Sequence, residues 1–432
     1  MSKFIIEGGV PLHGTHYVPG NKNAALPMLA AALLADEPVK IVNLPNILDV
    51  RVMLNLIGTT GAGVCYDQEA HDVVIDGGTI RETDLEQGLC DRIRTSILLA
   101  GPLLAKCGHA RIYPPGGDVI GQRRLDTHFE GLRAMGATVK FGVPFEFEAP
   151  EGGLHGAGPL LLDEASVTAT ENLVMAAVLA EGPTEIFNAA CEPHVQDLCR
   201  MLVAMGARIV GIGTNRLFIE GVRHLHGATV RVGSDYIEAA SYLAAAAATH
   251  GSIEIAPADG EDFAVLRRPF KRLGVEWEMD GDTRLVLPSS RTEHLVMERD
   301  ISGAISKIDD GIWPAVPTDL LSVLIVLATQ AEGIITFHEK MFENRLYFVD
   351  HLINMGASIV HCDPHRVVVS GPGKLHPWKM PAPDIRAGMA LLIAGLCAEG
   401  TTVIHNAESI DRGYESVDDR LRALGARIHR EA

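Results

Sequence analysis

The sequence has little of several features, and each scarcity excludes a class of protein. Aromatic residues make up only 5% of the 432 residues, and 37 basic residues face 55 acidic ones, which gives a formal charge of −18. Without a basic excess the chain cannot neutralise many phosphates, so neither a nucleic acid nor an anionic membrane is expected as its main partner. A small anionic substrate stays compatible with this charge where basic side chains converge locally.

Cysteines are few, odd in number and scattered, with no CxxC pair and no metal-ligand spacing. They are predicted to be reduced thiols of the core, and no metal or other cofactor is expected. Residues 1–7 lack the apolar stretch of a signal peptide, and the apolar runs are too short for a membrane span. The expected location is therefore the cytoplasm. The seven cysteines are Cys65, Cys90, Cys107, Cys191, Cys199, Cys362 and Cys397.

What the chain does have is an internal repeat. An apolar, helix-like run reaches a small turn and is followed by a strand pattern, and some 25 to 30 residues later a Gly-Ala or Gly-Val turn leads into another strand. The unit recurs every 68 to 82 residues. Such a period fixes the architecture before any motif is considered. The six runs cover residues 28–38, 97–108, 173–182, 242–251, 323–333 and 389–400.

These runs carry few charges, and residues 173–180 offer no polar stripe at helical spacing. Helices apolar on every face are buried, so sheets are expected to cover them. Six copies divide naturally into two inside-out, barrel-like α/β lobes of three repeats each. The predicted first lobe is 22–233, with a mobile lid at 113–126, and the second is 1–21 plus 234–432. The crossings are expected near residues 19–21 and 232–235.

Two loops carry candidate chemistry. Lys22 and Asn23 follow a Pro-Gly turn at the start of the first buried helix, where free backbone N–H groups and the helix dipole favour an anion; an ordinary cap with a solvated lysine is the alternative. The lid holds three glycines and two prolines around Asp118, followed by Arg123. It is predicted to supply a general acid and an anion clamp, with a plain surface turn as the alternative.

Further arginines lie just after turns or at helix starts. Singly, each is expected to be a solvated residue or a structural ion pair. Together they occupy equivalent points of a repeat, which predicts convergence on a cleft that could bind phosphate and carboxylate. Asp319 opens another buried run, either as an N-cap or as a carboxylate facing a substrate hydroxyl. The arginines are Arg94, Arg345, Arg386 and Arg412.

Motifs dispersed in order over nearly the whole chain resemble the UDP-N-acetylglucosamine 1-carboxyvinyltransferase family of enolpyruvyl transferases. The resemblance implies the enolpyruvyl-transferase fold and transfer of the enolpyruvyl group of phosphoenolpyruvate to the 3-hydroxyl of UDP-N-acetylglucosamine, with release of phosphate. It therefore implies a role in peptidoglycan synthesis, and through it in cell shape and division. The motifs are residues 20–27, 115–121 with Arg123, 169–172, 317–319, 341–345, 384–387 and 410–415.

The resemblance also implies roles for individual residues. Asp118 is expected to donate the proton, and Asp319 is aligned with the sugar hydroxyl. The catalytic set is completed by Lys22 and Arg412. The implied phosphoenolpyruvate ligands are Lys22, Asn23, Arg123, Arg345, Arg386 and Arg412. The implied UDP-N-acetylglucosamine contacts are Asn23, Arg94, Arg123, Arg124, Leu125, Asp126, Thr127, Glu164, Ala165, Ser166, Val167, Asp319 and Met341.

The chain departs from the family pattern at three positions. Most members carry cysteine where Asp118 stands, although an aspartate form is a known variant. Arg124 replaces a common proline and Glu164 a frequent lysine, which bears on nucleotide preference. Because fosfomycin alkylates the cysteine thiolate, the aspartate predicts resistance. Two alternatives stay open: carboxyvinyl transfer to another acceptor, or a non-catalytic paralogue that binds sugar nucleotide.

Overall fold

A computed structural model describes residues 2–431. Met1 and Ala432, the ends of the predicted second lobe, lie outside the described residues. The chain divides by its contacts into two compact units, each with its own hydrophobic core. Unit 1 comprises Met1–Val18, Val119–Gln122 and Ser234–Ala432, and unit 2 comprises Pro19–Asp118 and Arg123–Gly233. The lobe boundaries drawn from the sequence stay a prediction.

One buried helix of 8 to 13 residues begins or ends near each of the six predicted apolar runs. Four 3₁₀ turns cover Ala32–Leu34, Gly77–Thr79, Arg94–Leu99 and Ser289–Arg291. The α-helices are α1 Lys22–Ala31, α2 Leu48–Thr59, α3 Gln87–Cys90, α4 Ala100–Cys107, α5 Asp126–Ala134, α6 Val167–Ala177, α7 Pro193–Ala204, α8 Tyr236–Ala248, α9 Gly260–Arg272, α10 Thr318–Ala328, α11 Val349–Asn354, α12 Ile385–Cys397, α13 Glu408–Asp411 and α14 Val417–Ala423.

The helices of the apolar runs, α1, α4, α6, α8, α10 and α12, are buried over most of their length. In α8 every residue is buried, and the side chain of Asp235 caps the helix by accepting from the N–H groups of Ile237 and Glu238, both at 3.0 Å. Alanine and leucine suit such a position because they bury apolar area without polar groups to satisfy. The prediction of buried helices from the repeat is confirmed.

The strands are equally short and alternate between buried and exposed residues, as expected for sheets with one covered face. They are β1 Lys3–Gly8, β2 His13–Tyr17, β3 Val39–Val42, β4 Gly63–Asp67, β5 Asp72–Asp76, β6 His109–Ile112, β7 Thr138–Lys140, β8 Phe145–Glu148, β9 Leu160–Leu161, β10 Pro183–Phe187, β11 Arg208–Val210, β12 Arg216–Glu220, β13 Thr229–Arg231, β14 Ser252–Ala256, β15 Glu278–Asp280, β16 Arg284–Leu287, β17 Ser306–Asp309, β18 Gly333–His338, β19 Ser358–Asp363, β20 Arg366–Gly371, β21 Lys379–Pro381, β22 Gly400–His405 and β23 Arg427–Glu431.

Each repeat has its own sheet. Five sheets have four strands, in the orders β21-β22-β1-β23, β11-β12-β10-β9, β13-β3-β5-β4, β15-β16-β14-β2 and β17-β18-β20-β19. Every one of them contains a single parallel pair at one edge, while its remaining pairs are antiparallel. The sixth, β6-β8-β7, has three strands. In place of the fourth strand it has one parallel bridge between Asp84 and Arg111.

The six sheets within residues 2–431 stay separate and open, so the lobes are layered rather than closed barrels. No helix in this described part of the chain is long and apolar enough to cross a membrane. The cysteines are free, as expected, but the prediction that all are core thiols is wrong. Cys65, Cys107 and Cys362 are exposed, because they lie on outward positions of strands or at a helix end.

Candidate active site

The turn before α1 fixes Lys22 rather than leaving it in solvent. Asn21 is the N-cap, and its side-chain oxygen accepts from the N–H groups of Asn23 at 2.7 Å and Ala24 at 3.2 Å. The Lys22 ammonium lies 2.9 Å from a carboxylate oxygen of Asp49, a buried residue in the first turn of α2. The alternative of a solvated lysine is therefore wrong, and Lys22 is a positioned cation next to a helix N-terminus.

The lid begins against unit 2. Gly116 donates its backbone N–H to the carbonyl of Cys90 at 3.1 Å, and a side chain at this position would collide with the carbonyl oxygen of Asp91. Only glycine permits that close approach. Asp118, two residues on, is partly buried, as is Arg123, whereas Arg124 is exposed.

The tip of the lid, Val119–Gln122, groups with unit 1. The N–H of Gln122 donates to the Glu343 carboxylate at 2.9 Å, and the N–H of Asn344 donates to the Ile120 carbonyl at 3.0 Å. The bond from Gln122 is the main cause that lowers the pKa of Glu343. Glu343 and Asn344 belong to the same turn as Met341 and Arg345.

Arg94 binds the C-terminal part of the lid, after its tip. Its guanidinium donates to the carbonyl oxygens of Arg123 and Arg124. Burial, and after it the charge of Arg123, lower the pKa of Arg94 to about 10, while Glu164 acts in the opposite direction. Within unit 2 the structure thus brings Arg94, Arg123 and Glu164 into one electrostatic neighbourhood. The other predicted UDP-N-acetylglucosamine contacts of unit 2 lie at the N-terminus of α5 and at or just before the N-terminus of α6. Asp126 and Glu164 are exposed, Thr127 and Ala165 are buried, and Leu125, Ser166 and Val167 are partly buried.

A buried polar network beneath these contacts was not predicted from the sequence. His128 lies between Thr168, 3.1 Å from its Nε2, and Asn172, whose Nδ2 donates to Nδ1 at 3.0 Å. Burial and the charge of Arg94 lower the pKa of His128 to about 3, so the ring is neutral. Since Nδ1 accepts, the proton resides on Nε2 and points at Thr168. The Thr-Glu-Asn sequence at 170–172 is the only sequence signal for this network.

Among the predicted site residues of unit 1, Asp319 binds two others, Arg345 and Arg386. The N-cap of α10 is Pro317, so the N-cap interpretation of Asp319 is wrong: the helix starts at Thr318, and Asp319 lies in its first turn. Its Oδ1 accepts from Arg345 Nη2 at 2.6 Å, and its Oδ2 accepts from Arg386 Nε at 3.0 Å. An ionised carboxylate has about four acceptor sites on its two oxygens, so an aspartate can accept from more than two donors.

Both arginine partners of Asp319 are buried, at 3% and 4% exposure for Arg345 and Arg386. Arg386 also donates from Nη1 to the Tyr414 hydroxyl at 3.0 Å. Burial alone would lower the pKa of Arg386, but Tyr414, Asp319 and Asp235 together raise it above its usual range. A guanidinium held in this way stays charged although it is desolvated.

Arg412 ends helix α13 and is partly buried, two residues before Tyr414. Its neighbour Asp411 forms two hydrogen bonds of 2.6 Å with Arg430. Met341 is 39% exposed, on the turn that leads to Arg345. The predicted site residues therefore form two sets, one in each unit. Within residues 2–431, no cluster of three or more His, Cys, Asp or Glu side chains could hold a metal ion.

The chain is similar in sequence and in fold to known proteins. A sequence profile of the family described as EPSP synthase (3-phosphoshikimate 1-carboxyvinyltransferase) matches residues 6–421. Among solved structures, the enolpyruvyl transferase NikO from Streptomyces tendae superposes with a TM-score of 0.85 at 24% identity, over 99% of this chain and 98% of that one. EPSP synthase from Acinetobacter baumannii gives 0.76 at 19% identity, over 100% of both chains. At these identities the likeness establishes the fold alone.

Sequence relatives are more similar. The UDP-N-acetylglucosamine 1-carboxyvinyltransferase of Bradyrhizobium diazoefficiens is 50% identical over 428 residues, which cover 99% of this chain and 98% of the relative. That of Treponema denticola is 48% identical over 429 residues and 99% of both chains. This chain belongs to the UDP-N-acetylglucosamine 1-carboxyvinyltransferase family of enolpyruvyl transferases.

Proposed function

We infer that the protein is a UDP-N-acetylglucosamine 1-carboxyvinyltransferase, which moves the enolpyruvyl group of phosphoenolpyruvate to the 3-hydroxyl of UDP-N-acetylglucosamine and releases phosphate. The observation that carries this inference is the 50% identity to a relative of that name over essentially the whole chain. The reaction belongs to peptidoglycan synthesis. Both substrates are small anions, which suits a cytoplasmic protein of charge −18 whose cations are locally positioned rather than spread over a face.

The addition step needs a proton on the methylene carbon of phosphoenolpyruvate and attack by the sugar oxygen on the adjacent carbon. We assign the donor role to Asp118, which the Gly116 contact anchors at the root of the lid. A free aspartate is almost wholly ionised at neutral pH, so the donor role requires a substrate-bound site that favours the protonated carboxyl. Elimination then removes a proton from the new methyl group and releases phosphate, which restores the double bond.

The remaining roles are assigned by charge. Lys22, Arg123 and Arg412 are assigned to phosphoenolpyruvate, with Arg345 and Arg386 completing the anion site. Such cations stabilise the negative charge of both the substrate and the addition intermediate.

Asp319 is assigned to the sugar 3-hydroxyl. Its support is the pair of arginine bonds, which fix the direction of the carboxylate. The UDP portion is assigned to the unit 2 set around Arg94, with Asn23 at the start of α1 and Met341 in unit 1. We propose the lobe boundaries 22–233 and 1–21 plus 234–432, with three repeats in each lobe.

Phosphate release by the purified protein tests the function. It should require phosphoenolpyruvate and UDP-N-acetylglucosamine together, and Asp118→Asn should abolish it. The same assay with UDP-N-acetylgalactosamine and with shikimate 3-phosphate separates the alternatives. Release with another acceptor alone would reassign the substrate, and binding of UDP-N-acetylglucosamine without any release would indicate a non-catalytic paralogue.

A further inference from the structure

Two buried carboxyl groups, those of Asp310 and Glu339, have no role in the reaction described above. Asp310 follows strand β17, and Glu339 follows strand β18. The two strands pair in parallel, with Asp309 opposite His338, so the next residue of each emerges at the same edge of the sheet. Glu339 is 0% exposed and Asp310 is 1% exposed. Two acids this deeply buried at the same edge of a sheet need a structural or functional reason.

The Glu339 carboxylate joins two segments of the proposed site. Its Oε1 accepts from the N–H groups of Met341 and Phe342, each at 2.9 Å, which fixes the turn after β18. Its Oε2 accepts from the Thr318 hydroxyl at 2.8 Å, at the first residue of α10. Met341 and the residue after Thr318 are both assigned to UDP-N-acetylglucosamine, so one side chain determines the spacing between two substrate contacts.

The same turn carries two further elements of the site. Arg345 approaches the Thr318 oxygen with Nε at 3.4 Å and binds Asp319 with Nη2. Glu343 and Asn344 hold the lid tip through Gln122 and Ile120. A shift of the turn would therefore move an anion ligand and the docking point of the lid together.

Asp310 completes the pair. Its Oδ1 accepts from the backbone N–H of Lys340, and its Oδ2 is buried. Burial, followed by the hydrogen bond and charge of Asp310, raises the pKa of Glu339 to about 8, against the opposing effects of Thr318 and Arg345. Burial and a neighbouring carboxyl group both favour the protonated form of Glu339.

The other charged groups around the pair are already engaged. The Lys340 ammonium binds Asp309 at 2.8 Å, and Lys307 binds the same carboxylate at 2.9 Å. His365 meets the Glu339 carbonyl oxygen with Nδ1 at 2.8 Å rather than its carboxylate. Arg345 is directed to Asp319. A second negative charge on the pair would consequently have no new cation to meet it.

We propose that Glu339 and Asp310 are a proton-sharing pair of positioning residues, which holds the turn 341–345 in place for UDP-N-acetylglucosamine and for the lid tip while one proton is present. This role rests on the proposed function. Loss of the shared proton leaves two negative charges next to the turn. The repulsion between these charges displaces the turn. Substrate affinity should then fall at alkaline pH, separately from the chemical step at Asp118.

The test is the pH dependence of KM for UDP-N-acetylglucosamine, together with its Kd from calorimetry. In the unmodified protein both should rise about tenfold between pH 7 and pH 9, the change expected when a required proton dissociates near pH 8. Glu339→Gln is neutral at every pH and should stay within about threefold of the unmodified protein at pH 7, with a flat profile to pH 9. Asp310→Asn, which can donate to the Glu339 carboxylate, should also abolish the rise.

Asp309→Asn is the matched control, because this neighbouring acid binds the ammonium groups of Lys307 and Lys340; its profile should keep the rise. If Glu339→Gln fails to fold, Asp310→Asn decides the question by itself. A rise in KM and Kd between pH 7 and pH 9 that persists in the folded variants overturns the proposal.

Thermal melting without ligand separates this inference from the proposed function. The pKa of Glu339 is raised on folding, so its protonated form contributes stability at low pH that is lost as the pH rises through about 8. The melting temperature of the unmodified protein should fall relative to that of Glu339→Gln between pH 6 and pH 9. If no substrate is turned over but this difference is seen, the function fails and the shared proton stands. If turnover occurs and no difference is seen, the proton-sharing pair is wrong.

Discussion

Removal of one hydroxyl group, in Tyr414→Phe, tests whether the Arg386 network stabilises unit 1. The Tyr414 hydroxyl accepts from Arg386 Nη1 at 3.0 Å and meets the Ser241 hydroxyl at 3.1 Å, and the residue is 1% exposed. Phenylalanine keeps the ring, over which the Arg386 guanidinium carbon lies 5.3 Å from the centroid. The substitution therefore deletes the hydrogen bonds without a large cavity.

The expected loss of stability depends on which hydrogen bonds the substitution leaves intact. Ser241 keeps its bond to the Ile237 carbonyl at 2.7 Å, and Arg386 keeps its bond to Asp319, so one charged donor alone loses its acceptor. A buried hydrogen bond of a charged group contributes about 1.5–3 kcal/mol, and we expect a loss of about 2 kcal/mol in the free energy of unfolding. In a unit of roughly 200 residues this corresponds to a fall of about 4–8 °C in melting temperature.

Tryptophan fluorescence is a selective assay, because Trp277, Trp313 and Trp378 are the only tryptophans of the chain and all belong to unit 1. Urea unfolding should show a lower midpoint with an unchanged slope. Tyr347→Phe, at a tyrosine that is 56% exposed, is the control and should change the free energy by less than about 0.5 kcal/mol. Equal midpoints for Tyr414→Phe and the unmodified protein would refute the reasoning.

Further predictions concern both units. The unmodified protein should resist covalent inactivation by fosfomycin because a carboxylate is a weaker nucleophile than a thiolate, whereas Asp118→Cys should become sensitive; an adduct mass on the Asp118 peptide of the unmodified protein would contradict this. Lys22→Ala and Arg412→Ala should each reduce kcat/KM for phosphoenolpyruvate by an amount equivalent to about 2–5 kcal/mol, since a bound charge loses its fixed partner; steady-state rates near normal at low phosphoenolpyruvate would remove them from the site. Asn172→Ala deletes hydrogen bonds to Gly101, Ile97 and His128 and should destabilise unit 2 by at least about 2 kcal/mol in calorimetry, with little effect on the tryptophan signal of unit 1.

Short-range sequence patterns were enough for much of the fold. The second half of helix α8 could be predicted because residues 243–248 are an uninterrupted run of leucine and alanine without a polar stripe. The strand that follows could be predicted because β-branched residues follow a Gly turn. The irregular loop at 113–125 could be predicted from its glycines and prolines, whereas its role as a mobile lid stays a prediction. These features depend on local propensity and periodicity, which any single sequence contains.

Pairings between distant residues were decided by the tertiary structure alone. Nothing near Lys22 in the sequence indicates Asp49, and Asp319 could equally have been an N-cap until Arg345 and Arg386 were seen to occupy its two oxygens. The burial that raises the pKa of Glu339 likewise comes from strands and a helix that meet only in the folded chain. The sequence by itself determined the repeat, the buried helices and the candidate residues, because each is encoded locally. The tertiary structure decided their partners and charge states, because hydrogen bonds and desolvation depend on distances that the order of residues does not specify.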